Sequence, residues 1–197
     1  MVPRIPRGPG RGTVVGIATP PTPEDPMHAT LHRTNGPFPD PAPDDGFVLR
    51  LVQIGGPVGL TVRFWPEPPA DPSAFEVVQD RDLTEPTADP VAASVLTFTG
   101  PVSDAVLRAT ERDRRERIGP ALEGHPGRVR MIDLWQPELR RQVLLTLATS
   151  LASLEESGRM ISSLALLPDE DEALLPGPDH VEMFRVEQCR LDPSVTR

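Results

Sequence analysis

Lysine and tyrosine are absent from the 197 residues, and cysteine and asparagine occur once each, as Cys189 and Asn35. Each gap removes a chemistry. Without lysine there is no Gly-rich phosphate loop of the Lys-Ser/Thr type, no Schiff base, no kinase-type lysine and no Ser-Lys pair. Without tyrosine there is no phenolic acid or base. One cysteine permits neither an intramolecular disulfide nor a multi-cysteine zinc site, which fits a reducing, cytoplasmic setting. The chain also lacks a Gly-x-Ser-x-Gly elbow, so a serine hydrolase of that type is unsupported. Its apolar run Val14–Ala18 is too short for a secretory core and prolines follow it. The longest apolar helix candidate carries polar residues on every turn, so no membrane span is expected. Aromatic residues make up only 4%, leaving the core to Leu, Val, Ala and Ile.

All 20 basic residues are arginine, a bias that matches GC-rich, bacterial-type codon usage. Most of the 26 prolines lie in the first ninety positions. Residues 1–45 are rich in Pro, Gly, Thr and Asp without a sustained apolar period, and read as a disordered or extended tail. Met27 offers an alternative start within it. Residues 46–197 then form a single globular domain.

Order is expected from Phe47. FVLRLVQI is apolar on both faces, Gly55-Gly56 permits a tight turn, and VGLTVRFW alternates with a period of two, so these segments predict a hairpin. Further strands are expected near Phe75–Gln79, Ser94–Thr99, Arg128–Trp135 and Met160–Leu167. A first helix starts at Ser103 and stops near Gly119-Pro120. A second is expected from Pro137 to Gly158, with Leu139, Val143, Leu147, Leu151 and Leu154 as its core stripe. VEMFRVEQCRL reads as a last strand, with a helix capped by Asp179 as the alternative. Alternating strands and helices from Ser94 to Leu167 permit parallel pairing. The fold class that follows is α+β (or α/β), a mixed sheet of about five to seven strands with two main helices. No internal repeat is evident.

The formal net charge is -9, yet arginine concentrates between Arg108 and Arg141. An anion site there would use Arg112, Arg114, Arg115, Arg140 and Arg141, because guanidinium forks match carboxylate and phosphate oxygens. Glu111 precedes Arg115 by four and Asp113 precedes Arg117 by four, which reads as a solvated, self-paired helix. Trp65, with Arg63 beside it on the outward face of the hairpin, is a candidate partner contact. The acidic run at Asp169–Glu172 could steer a basic protein. The function expected on this basis is a non-catalytic adaptor or inhibitor-like protein that binds another protein through an acidic, charge-segregated surface.

The alternative is an α/β enzyme or ligand-binding domain acting on an anionic small molecule. There, strand ends near Thr99 and Asp133 form the site, Arg140 or Arg141 holds the anion, and Asp133 or His125 handles protons. Nucleic-acid binding through the Arg108–Arg141 band comes third, without aromatic stacking platforms to support it. His28 and His32 stand four apart but have no third ligand, so no metal is expected, and no cofactor motif is present. GPGRGT lacks a preceding strand, and the proline runs PFPDPAPDDG and WPEPPADP read as linkers. His180 follows a turn without a recognisable partner. Cys189 reads as a small packed residue.

Overall fold

The computed structural model describes residues 27–36, 38, 46–83 and 89–191. The remaining parts of the proline-rich tail and the stretch 84–88 lie outside the described residues. Eight strands close into an antiparallel barrel: β1 (His28–Asn35), β2 (Phe47–Gln53), β3 (Val58–Trp65), β4 (Phe75–Asp82), β5 (Ala92–Phe98), β6 (Arg128–Gln136), β7 (Arg141–Ala148) and β8 (His180–Arg190). Their order around the barrel is β1-β3-β2-β8-β5-β7-β6-β4, and β1 pairs β4 to complete the ring. Helix α1 (Asp104–Asp113), a π turn (Arg114–Ile118) and the short α2 (Gly119–Leu122) connect β5 to β6. Helix α3 (Leu151–Ser163) and a 3-10 turn connect β7 to β8.

This corrects the expected mixed sheet. Every strand pair is antiparallel, no parallel crossover forms, and closure removes the exposed edges an open sheet would have to cover. Residues 141–148 are the source of the largest error. Val143 and Leu147 fit a helical stripe, but Val143, Leu145 and Leu147 fit a strand equally well, and all three are buried inside the barrel. Strand pairing wins, since β7 has a full partner on each side, β5 and β6. The helix starts only at Leu151, where the Ser150 side chain caps it by accepting from Ser153 N at 3.1 Å. Met160–Ser163 accordingly ends that helix and is not a strand. The hairpin β2–β3 and the Ser103 cap of α1 form as expected. The last segment forms the expected strand as β8, and the first strand lies within the stretch expected to be disordered or extended.

The barrel core comes from inward residues at a period of two: Leu49 and Leu51 on β2, Leu60, Val62 and Phe64 on β3, Ile132 and Leu134 on β6, with Phe184 on β8. Outside it, Leu154 of α3 packs on Ala92 and Ala148, whose small side chains let the helix approach the sheet. No helix is long and apolar enough to cross a membrane among the described residues.

The topology also contains a duplication. β5–β8, with their two helical connections, form a βαββαβ unit whose strands lie in the order 4-1-3-2, and β1–β4 take the same order, without helices among the described residues. The halves meet at two seams, β4·β6 and β2·β8, each with a one-residue register shift at the same place. There the sequences FEVVQDR (75–81) and FRVEQCR (184–190) share the pattern F-x-V-x-Q-x-R. The intervening positions differ, which is why no repeat registers in the sequence alone.

At one end of the barrel Arg33 of β1 donates to Glu182 of β8, which also accepts from Gln53 Nε2 at 3.2 Å. The Arg33 hydrogen bond holds the Glu182 carboxyl below its ordinary range, against the opposing effect of burial. A carboxyl depressed in the folded state stabilises above its unfolded pKa and loses that contribution as pH falls through the folded value. Glu182→Gln should therefore cost less than about 1 kcal/mol at neutral pH, and the deficit should vanish in acid, as urea unfolding at several pH values would measure.

The strand at 141–148 makes a second measurable claim. Leu145→Ala should cost about 2–5 kcal/mol by urea denaturation, because Leu145 is fully buried. Leu139→Ala, at a position 54% exposed, should change stability by no more than about 0.5 kcal/mol, the reverse of what a helix with Leu139 in its core stripe requires.

Candidate anion-binding cavity

A cavity of about 920 Å³ lies outside the barrel, over the β4·β6 seam and under the α1–π–α2 connection. Local sequence shapes its outer wall. Pro120 has no N–H to donate, and its ring would crowd the carbonyl four residues back, so the helix widens. Gly119 N–H instead reaches Arg114 O, five residues earlier, and a Cβ at Gly119 would stand 2.7 Å from that oxygen. The widened turn puts Arg114, Arg115 and Ile118 on the cavity wall. The inner wall is the outward face of the seam, with Gln79, Arg81, Met131 and Asp133. The turn before β6 closes one end. Gly127, at φ +81°, has no room for a Cβ, which would fall 2.2 Å from Ser153 Oγ; it leads the chain from His125 into Arg128.

Most arginines of the basic band pair with carboxylates of the same molecule. Arg112 bonds Glu116 at 2.9 Å and Asp169 at 2.8 Å, and Arg115 bonds Glu116 at 2.8 Å. Arg117 bonds Asp113 and lies 3.3 Å from Glu170. The acidic run at Asp169–Glu172 is thereby tied to the π turn. Arg112 holds the carboxyl of Asp169 below its ordinary range, and Arg115 with Arg112 does the same for Glu116. Arg114 pairs with Asp133, which is 1% exposed on its side chain and also accepts from Gln142 Nε2 at 2.7 and 2.9 Å. Both carboxylate oxygens of Asp133 are thus engaged.

Arg140 and Arg141 do not sit in a helix. Arg140 occupies the β6–β7 turn at φ +49°, bonds Val102 O at 2.7 Å and pairs with Asp104. Arg141 opens β7 and stacks 4.9 Å from the Phe75 ring centroid. Trp65 is 36% exposed and donates from Nε1 to Thr30 Oγ1 at 3.2 Å, while Arg63 lies on the same strand, away from the cavity. The cavity thus collects Arg114, Arg115, Asp133 and His125 from the sequence candidates and leaves out Arg112, Arg140, Arg141, Trp65 and Arg63.

Arg128 is the residue that sequence reasoning missed. It is 7% exposed, lines the cavity, and has no hydrogen-bond or ion-pair partner among the described residues. Burial, reinforced by the charge of Arg81, lowers its pKa from the ordinary guanidinium value, though a guanidinium stays charged at any working pH. Arg81, exposed on the same wall, has no carboxylate partner among the described residues either. The usable signal was placement at the base of a strand, behind a Gly turn, away from the run of nearby acids.

His125, 8% exposed, adds an imidazole to the wall. The Ser157 hydroxyl donates to Ser153 O at 2.8 Å, so at 3.4 Å from His125 Nδ1 it can only accept. Pro126 O, 3.1 Å from the same nitrogen, also only accepts. Both contacts put a proton on Nδ1, and Nε2 is buried without a partner among the described residues. Among the described residues no group of His, Cys, Asp or Glu could hold a metal; His28 and His32 lie on β1, and burial raises the pKa of Cys189.

The Asp133 pairing carries its own prediction. Asp133→Ala should lower stability by about 3 kcal/mol, since it strands the Arg114 guanidinium and the Gln142 amide. The double substitution Arg114→Met with Asp133→Leu should recover most of that loss in the same denaturant titration.

No protein-family model matches the chain, and no curated protein sequence does. Solved structures share its fold. A Listeria monocytogenes protein described as an uncharacterized ferredoxin-fold protein related to antibiotic biosynthesis monooxygenases superposes with a TM-score of 0.55 at 9% identity, covering 83% of this chain and 96% of its own. An anthrone oxidase-like protein gives 0.52 at 12% identity, covering 85% and 94%. A haem-degrading enzyme from Listeria monocytogenes gives 0.50 at 8% identity, covering 80% and 98%. The expectation of a non-catalytic adaptor is not what these likenesses point to, since the three proteins named are described as monooxygenase-related, oxidase-like and haem-degrading. At such identity the likeness establishes the fold: this chain is a barrel of two ferredoxin-like halves, similar to that group.

Proposed function

We propose that the chain is an enzyme or ligand-binding domain that takes an anionic organic small molecule into the cavity over the β4·β6 seam. One observation carries the reading: Arg128 is buried in the cavity wall with a second arginine beside it and no carboxylate on either among the described residues. A buried charge without a counter-charge costs stability, and a fold that keeps one has its compensation elsewhere, most directly in a bound anion. The volume exceeds what an inorganic ion needs and lies within the ~300–1,000 Å³ of small-molecule sites. Val78, Leu83, Ile118, Leu122 and Met131 add an apolar lining for the body of the ligand. The fold's occurrence in oxidase-like, monooxygenase-related and haem-degrading proteins supports a small-molecule role over an adaptor role.

The test separates stability from binding. Arg128→Met should stabilise the unliganded protein by about 1 kcal/mol, raising its melting temperature by about 2–4 °C. The same substitution should weaken calorimetric binding of benzoate or phenyl sulfate by tenfold or more. If neither probe binds the unsubstituted protein and neither shifts the amide resonances of the cavity wall, the reading fails.

A further inference from the structure

We infer that the head group this cavity accepts is a dianion, of the phosphate-monoester type, bridging Arg81 and Arg128. The inference rests on the anion-site reading above and names its ligand class. Both guanidinium groups belong to one wall, Arg81 on β4 and Arg128 at the start of β6, strands that pair directly through Asp82 and Arg130.

The remaining charges of the cavity are accounted for. Arg114 is spent on Asp133 and Arg115 on Glu116. Asp82 lies 3.9 Å from Arg130, whose main partner is Asp80 at 2.6 Å. Glu111 and Glu123 stand exposed on the rim and pair with neither Arg81 nor Arg128. His125 donates from Nδ1 to Pro126 O at 3.1 Å. Two positive charges therefore repel one another across a partly desolvated wall.

A monoanion compensates one of them and leaves the other facing its neighbour. A dianion compensates both, and the three terminal oxygens of a phosphate ester can accept from two guanidinium forks together. At low effective dielectric the second charge contributes more than it would in water. The ester's organic body then lies on the apolar lining formed by Ile118, Leu122 and Met131.

Phenyl phosphate and phenyl sulfate are close in shape and differ in charge, which makes them the decisive pair. Calorimetry on the full chain at pH 8 and constant ionic strength should show phenyl phosphate binding at least tenfold more tightly. Arg81→Gln, at an exposed position, should reduce that ratio to about twofold while phenyl sulfate binding persists. Equal binding of the two probes, or a ratio unchanged in Arg81→Gln, overturns the dianion inference and leaves the anion site standing. Failure of both probes to bind the unsubstituted protein overturns the anion site and this inference with it.

Discussion

The two seams at which the halves of the barrel join, β4·β6 and β2·β8, govern most of what the molecule can do. Neither half has a closed sheet of its own, so each supplies the missing hydrogen-bonding edge of the other. At both seams an extra residue interrupts the ladder, and a bulge of this kind re-aims the side chains that follow it. On one seam that displacement gives Gln79 and Arg81 to the outer cavity and turns Asp80 inward to Arg130. On the other, Gln188 and Arg190 follow the bulge, with Cys189 packed against the core. Pairing geometry, rather than any local propensity, sets the floor of the candidate site.

Local signals were legible where one physical period dominated. Val58–Trp65 alternates without competition, and Ser103 has no rival as a cap after Gly100-Pro101. Residues 141–148 were misread because Val143 and Leu147 satisfy periods of two and of 3.6 residues at once. Only pairing with β5 and β6 separates the two, and pairing is not local information. Barrel closure was hidden for a related reason: β1 meets β4 through a short ladder at His28 and Ala29. The repeat was hidden because its shared residues, Phe, Val, Gln and Arg, occur at alternate positions of a strand and leave the rest free to vary.

The cavity was less legible than the fold. Arginine density drew attention to Arg112, Arg114 and Arg115, yet density is what lets such residues find carboxylates nearby. An arginine outside the dense run, at the start of a buried strand, gives a weaker sequence signal and a stronger physical one. Arg130 shows the contrast two residues along. It is just as buried as Arg128 but is matched by Asp80 through two hydrogen bonds of 2.6 Å. Burial alone does not mark a site; burial without a counter-charge does.

The duplicated unit has a consequence for how the protein could change over time. Two separate copies of one gene product must keep identical walls, so any pocket is present twice or not at all. Fusion into a single chain lifts that restriction. Arg50 of β2, the positional counterpart of Asp133 across the pseudo-twofold axis, lies over the Phe38 ring at 5.9 Å, whereas Asp133 faces the hollow. The described cavity and the helices above it belong to the half formed by β5–β8, with β4 of the other half completing the wall.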